Sequence, residues 1–92
     1  MPEVLVGQVS HYYGRLGVAA LSLGLALHRG DRIRVRGHTT DFAETVQSME
    51  IDHHPVDDAR PGDDVAIKVE GKARVGDKVY LEQPETAAAA KP

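Results

Sequence analysis

Gly30-Asp31-Arg32-Ile33-Arg34-Val35 is the first of three near-copies of one phrase, followed by Gly62-Asp63-Asp64-Val65-Ala66-Ile67 and Gly76-Asp77-Lys78-Val79-Tyr80-Leu81. Glycine supplies a turn dihedral that a Cβ disfavours, and aspartate bonds backbone groups close to it. The apolar residues that follow recur with period two, the signature of a half-buried strand. Each phrase therefore predicts a turn feeding a strand, with Ile33, Val35, Val65, Ile67, Val79 and Leu81 facing inward. The phrases stand 32 and then 14 residues apart, which marks recurring turn chemistry and not a solenoid repeat.

Working outward, Val4 to Tyr13 is rich in Val and Tyr and predicts an opening strand, with Gly7 as a bulge or close-contact point. Gly14-Arg15 reads as a turn. Leu16 to Leu27 alternates at Leu21, Leu23, Leu25 and Leu27, and Gly17 and Gly24 favour strand over helix. Asp41 to Asp52 is left open between strand and helix. Asp41 and Glu44 would form a capping box and Phe42, Val46 and Met49 would share a helical face, whereas a strand needs a bulge near Gln47-Ser48 to turn Val46 and Met49 inward. About six short strands separated by Gly, Pro and Asp turns predict an all-β chain, a small closed or nearly closed antiparallel β-barrel spanning residues 1–82. Residues 83–92, a Pro, Ala and Lys tail with nothing to bury, are expected to be disordered.

Composition bounds the function. Ninety-two residues make one domain. The absence of cysteine removes thiol catalysis, zinc ribbons and redox sensing. No apolar run approaches the roughly 18 residues of a membrane span, and the first residues lack the pattern of a secretory signal. A cytoplasmic protein with no membrane partner is the expectation. Net charge is −3, so global attraction to phosphate is missing, but four of the seven arginines lie between Arg29 and Arg36 while acids crowd Asp52 to Asp64.

Three constellations follow. On a strand, Arg32, Arg34 and Arg36 share one outward face, a basic stripe suited to phosphate oxygens or to carboxylates on neighbouring strands such as Glu50, Glu70 or Glu82. Tyr12, Tyr13 and Arg15 gather rings and a cation at the first turn, suited to stacking on unpaired bases or to half-buried packing. His53-His54 with Asp52, Asp57 and Asp58 invites a metal, but adjacent histidines on a strand face opposite ways, so no metal site is expected. With no recognisable catalytic frame and a barrel filled by its own side chains, neither catalysis nor a cofactor is expected.

The order Val6-Gly7-Gln8-Val9, Gly17-Val18-Ala19, Leu27-His28-Arg29-Gly30-Asp31-Arg32-Ile33, Val46-Gln47-Ser48-Met49 and Val56-Asp57-Asp58-Ala59-Arg60-Pro61-Gly62-Asp63-Asp64-Val65-Ala66-Ile67 resembles domain 2 of translational GTPases. That is the β-barrel of elongation factor Tu, elongation factor G and bacterial initiation factor 2. Gly37-His38-Thr39-Thr40-Asp41-Phe42 resembles free-standing elongation-factor-like proteins. No G-x-x-x-x-G-K-[ST] occurs, so this chain alone binds no GTP. The resemblance implies a non-catalytic module contacting structured RNA, ribosomal RNA or tRNA, and the ribosome. The residue reading puts that contact at Arg32, Arg34, Arg36, Tyr12, Tyr13 and Arg15. The rival expectation is a protein-interaction module, acting in trans with a larger enzyme or factor or through self-association, motivated by the apolar run Leu21 to Leu27.

Overall fold

The computed structural model describes residues 3–82, so the expectation for the tail at 83–92 lies outside the described residues. Ten strands follow in order: β1 (Glu3–Tyr13), β2 (Val18–Leu23), β3 (Leu27–His28), β4 (Arg32–Arg36), β5 (Asp41–Thr45), β6 (Met49–Ile51), β7 (His54–Val56), β8 (Asp58–Ala59), β9 (Asp64–Lys68) and β10 (Lys78–Glu82). Eight form one antiparallel sheet, β5-β4-β10-β1-β2-β9-β6-β7, and β3 pairs with β8 separately. No helix occurs among the described residues, and so none is long and apolar enough to cross a membrane.

The all-β, antiparallel expectation holds, but the closed or nearly closed barrel of about six strands is corrected: the main sheet has eight strands and is not closed. Side chains explain its open ends. On β7, Pro55 has no N–H to give to a further ladder, which suits an edge strand. On β5, the Glu44 carboxylate accepts the backbone N–H groups of Glu70 and Gly71 at 2.9 and 3.0 Å, binding the segment after β9 without a strand pairing.

The three Gly-Asp phrases make three copies of one turn. Gly30, Gly62 and Gly76 occupy its third position at φ 97°, 93° and 95°, the sign a type II turn requires. The following aspartate closes the turn twice. Its N–H donates to the carbonyl of His28, Arg60 or Arg74 at 3.0 Å, and its carboxylate accepts that same residue's N–H at 2.8–2.9 Å. Each turn also docks on another segment. Gly30 and Asp31 exchange backbone bonds with Val46, Gly62 and Asp63 with Leu23, and Gly76 and Asp77 with Val9. All three receiving residues are buried. At Gly62 a Cβ would meet nothing within 4 Å, so its dihedral alone resists substitution. Gly62→Ala is expected to cost about 1–2 kcal/mol, read as a lower urea midpoint at unchanged slope.

Alternation after each turn buries Ile33, Val35, Val65, Ile67 and Val79, each at most 2% exposed, while Leu81 packs partly buried against the same core. The open question at Asp41 to Asp52 resolves as strand: β5 and β6 flank an irregular stretch at 46–48 that turns both Val46 and Met49 inward. The apolar run after Leu16 is β2, a break at 24–26, and β3. Leu21, Leu23 and Leu27 are buried in it, and Leu25 projects.

Candidate functional site

Strand β1 carries an extra residue. Its register against β10 shifts between Leu5 and Gly7, which puts Val6 and Gly7 inside and leaves Leu5 outside. Glycine is needed there, because a Cβ at Gly7 would lie 2.6 Å from the Ser22 carbonyl oxygen on β2. The Val6 carbonyl then accepts the N–H groups of Gly24 and Leu25 at 2.8 and 3.2 Å, fixing the break after β2 beside the bulge. The third Gly-Asp turn, docked on Val9, holds Val75 from the other side.

Leu5, Leu25 and Val75, exposed by 48%, 41% and 68%, thereby line one groove of about 640 Å³. Gln8, Ser10, Ser22 and Lys78 supply its polar members. Three large apolar side chains converging on one concavity, with polar groups around them, is the composition of a protein-docking surface. The signal was present in the sequence: where the first two turns place Arg29 and Pro61 before glycine, the third places Val75. What no pattern shows is that Leu5, Leu25 and Val75 meet.

The basic stripe lies on an outward face as expected, but it is matched by carboxylates. Arg34 pairs with Asp41 at 3.0 Å and Glu82 at 3.3 Å, Arg32 reaches Glu82 at 3.6 Å, and Arg36 lies over the Tyr80 ring with its guanidinium carbon 5.8 Å from the centroid. Of the carboxylates weighed for this role, Glu82 serves; Glu44, not Glu70, holds the neighbouring backbone. Tyr12 packs against the core, its hydroxyl donating to the Gly71 carbonyl at 3.4 Å, while Tyr13 is 47% exposed and stacks on His11. Arg15 is exposed in the hairpin turn. The β1–β10 register ends at Gln8, short of Tyr12, Tyr13 and Arg15, so these do not join the arginines in one strand-to-strand patch.

Asp52 and His53 form the β6–β7 turn at φ 53° and 65°. Among the described residues no three His, Asp or Glu are grouped to hold a metal ion. Acids of the same region serve elsewhere: Asp57 pairs with Arg29 at 3.1 Å, and Asp58 with His28 at 2.6 Å across β3 and β8. The hydrogen bond to Asp58 raises the His28 imidazole above its ordinary value, opposed by desolvation and helped by the charges of Asp31 and Asp58. A raised folded-state value stabilises below the unfolded value, about 6.5, and is lost as pH climbs through the folded one. With both partners more than half exposed, screening holds the gain below about 1 kcal/mol. The His28 titration midpoint, followed by NMR, is expected to fall in Asp58→Asn.

No family model matches the chain. It is 38% identical over 80 residues to an uncharacterized protease of Methanocaldococcus jannaschii, an alignment covering 86% of this chain and 20% of that protein. The chain thus spans about one fifth of that relative's length. Among solved structures, the C-terminal domain of a Geobacillus thermoleovorans protein named for the U32 peptidases superposes with a TM-score of 0.82 at 20% identity, covering 87% of this chain and 93% of that domain. Its selenomethionine variant gives 0.77 at 20% identity, covering 82% and 95%. At that identity the superposition shows a shared fold.

These findings overturn the resemblance to domain 2 of translational GTPases, and with it the expectation of a module for RNA, tRNA or the ribosome. The expectation that the chain is not an enzyme is corrected as well, since the relative is named as a protease and the matched fold is a domain of a protein named for peptidases. A protein-interaction role is compatible with both comparisons and with the groove.

Proposed function

We propose that this chain is a β-domain of a U32-type peptidase system, and that it docks on the body of such a peptidase through the Leu5, Leu25 and Val75 groove. The observation that carries this reading is the convergence of three exposed large apolar side chains on one concavity. The alignment supports the choice of occupant. The M. jannaschii protease continues for four fifths of its length outside the matched segment, so the counterpart of this chain has a large body to pack against. Inter-domain contacts of that kind mix apolar anchors with polar groups, as Gln8, Ser22 and Lys78 do here.

The test uses the M. jannaschii protease from which the matching segment has been removed, titrated with the 92-residue chain and followed by calorimetry and peptide hydrolysis. Saturable association, with hydrolysis higher in the mixture than in the shortened protease alone, is the expected result. Failure of the two to associate, with both shown folded by circular dichroism, refutes the docking role.

A further inference from the structure

A second cleft, about 520 Å³, lies between the β1–β2 hairpin and the β6–β7 hairpin. Its floor follows from strand register. Ala20 on β2 stands opposite Ala66 on β9, which stands opposite Glu50 on β6, and the two alanines leave a trough on the outer sheet face. Tyr13 and Leu16 wall one end, and they are the two large exposed hydrophobic side chains outside the first groove, at 47% and 66%. Glu50, Asp52 and Asp64 line the rest together with His53.

The charges of this cleft differ from those of the arginine face. There, Asp41 and Glu82 are met by Arg34 and Arg32. Among the described residues, Glu50, Asp52 and Asp64 have no ion pair or side-chain hydrogen bond. The cations nearest in sequence or register, Arg15, Arg60 and Lys68, are not part of the lining. The acids are not grouped for a metal ion among the described residues, and their charge is complementary to an organic cation. The Tyr13 ring, stacked on His11 with centroids 6.0 Å apart and planes 11° from parallel, gives such a cation a π surface.

We infer that this cleft binds a peptide segment in which an apolar side chain stands next to lysine or arginine, the apolar group against Leu16 and Tyr13 and the cation among Glu50, Asp52 and Asp64. The choice of a peptide as occupant rests on the peptidase reading above. The cleft then gives the peptidase a preference for basic, apolar stretches of substrate, and it shares no lining residue with the docking groove.

The test needs no peptidase body, so its outcome is separate from that of the docking experiment. The 92-residue chain is titrated into a fluorescein-labelled octapeptide of alternating leucine and arginine, with glutamine and glutamate analogues and spermine as comparisons. Anisotropy is read at low and high salt, and amide shifts are mapped by NMR. Saturable binding of the arginine peptide is expected, weakened by salt and about 10-fold weaker for the glutamine analogue. Glu50→Gln with Asp64→Asn should weaken it about 10-fold as well. Leu16→Ser, an exposed turn position, should lower affinity about 5-fold by removing apolar contact. Absence of saturation, equal binding of the glutamate peptide, spermine binding as tightly, or shifts confined to Leu5, Leu25 and Val75 would each overturn the assignment. So would a dimer of the chain that the double variant dissolves, since the cleft's occupant would then be a second copy.

Discussion

Asp77→Ala should lose about 2–3 kcal/mol of stability, the upper end for removing a charged hydrogen-bond partner from a buried site. Asp77 is 5% exposed, and its carboxylate accepts the Arg74 N–H at 2.8 Å. Truncation leaves that donor without its acceptor, at a carboxylate packed so closely on Gly37, just after β4, that a Cβ there would run into it. Asp31 makes the same bond to His28 but is only half-buried, so water replaces much of what Asp31→Ala removes and about 1 kcal/mol is expected. In a chain of this size the Asp77 variant should melt roughly 10 °C or more below the parent. Asp77→Asn keeps an acceptor and should recover most of the loss. Equal losses at Asp31 and Asp77 in thermal and urea unfolding would show that the three turns are not graded by burial.

The second large effect concerns docking. Leu25→Asp and Val75→Asp each place a charge where an apolar anchor is proposed to be covered, and an unpaired carboxylate there costs more than the lost apolar contact. Each should weaken association with the shortened M. jannaschii protease at least about 30-fold, equivalent to about 2 kcal/mol. Both side chains are exposed in the free chain, so its melting temperature should hardly change. Arg36→Glu, on the arginine face, is the control and should leave association unaltered. Calorimetry on the three variants checks this, and a loss confined to the Arg36 variant would move the interface to that face.

The local chemistry of the fold was legible because it is written in adjacent residues. Gly30-Asp31, Gly62-Asp63 and Gly76-Asp77 announce turns, and the alternation after them identifies the buried residues almost without error. The same brevity explains the misplaced translation-factor resemblance: a Gly-Asp turn before an alternating strand is a physical device for docking a turn on a sheet, and it carries no ancestry. That the sheet stays open was not legible, because which strands stand at its edges, β5 and β7, depends on pairings between strands far apart in sequence. The stripe at Arg32, Arg34 and Arg36 was visible as a face, yet the pairing of Arg32 and Arg34 with Glu82 required the β4–β10 register, which joins Arg34 to a carboxylate 48 residues away. The docking groove was the least visible. It exists because a bulge at Gly7 pushes Leu5 outward beside a turn residue 70 positions away.

Hydrogen exchange of the 92-residue chain, free and bound to the shortened M. jannaschii protease, tests the docking claim most directly. Slowed exchange at Leu5 to Ser10, Ser22 to Leu25 and Arg74 to Lys78, with the amides of β4 and β5 unchanged, is the predicted footprint. Protection of β4 and β5 with none around Val75, or no added protection anywhere, would contradict it.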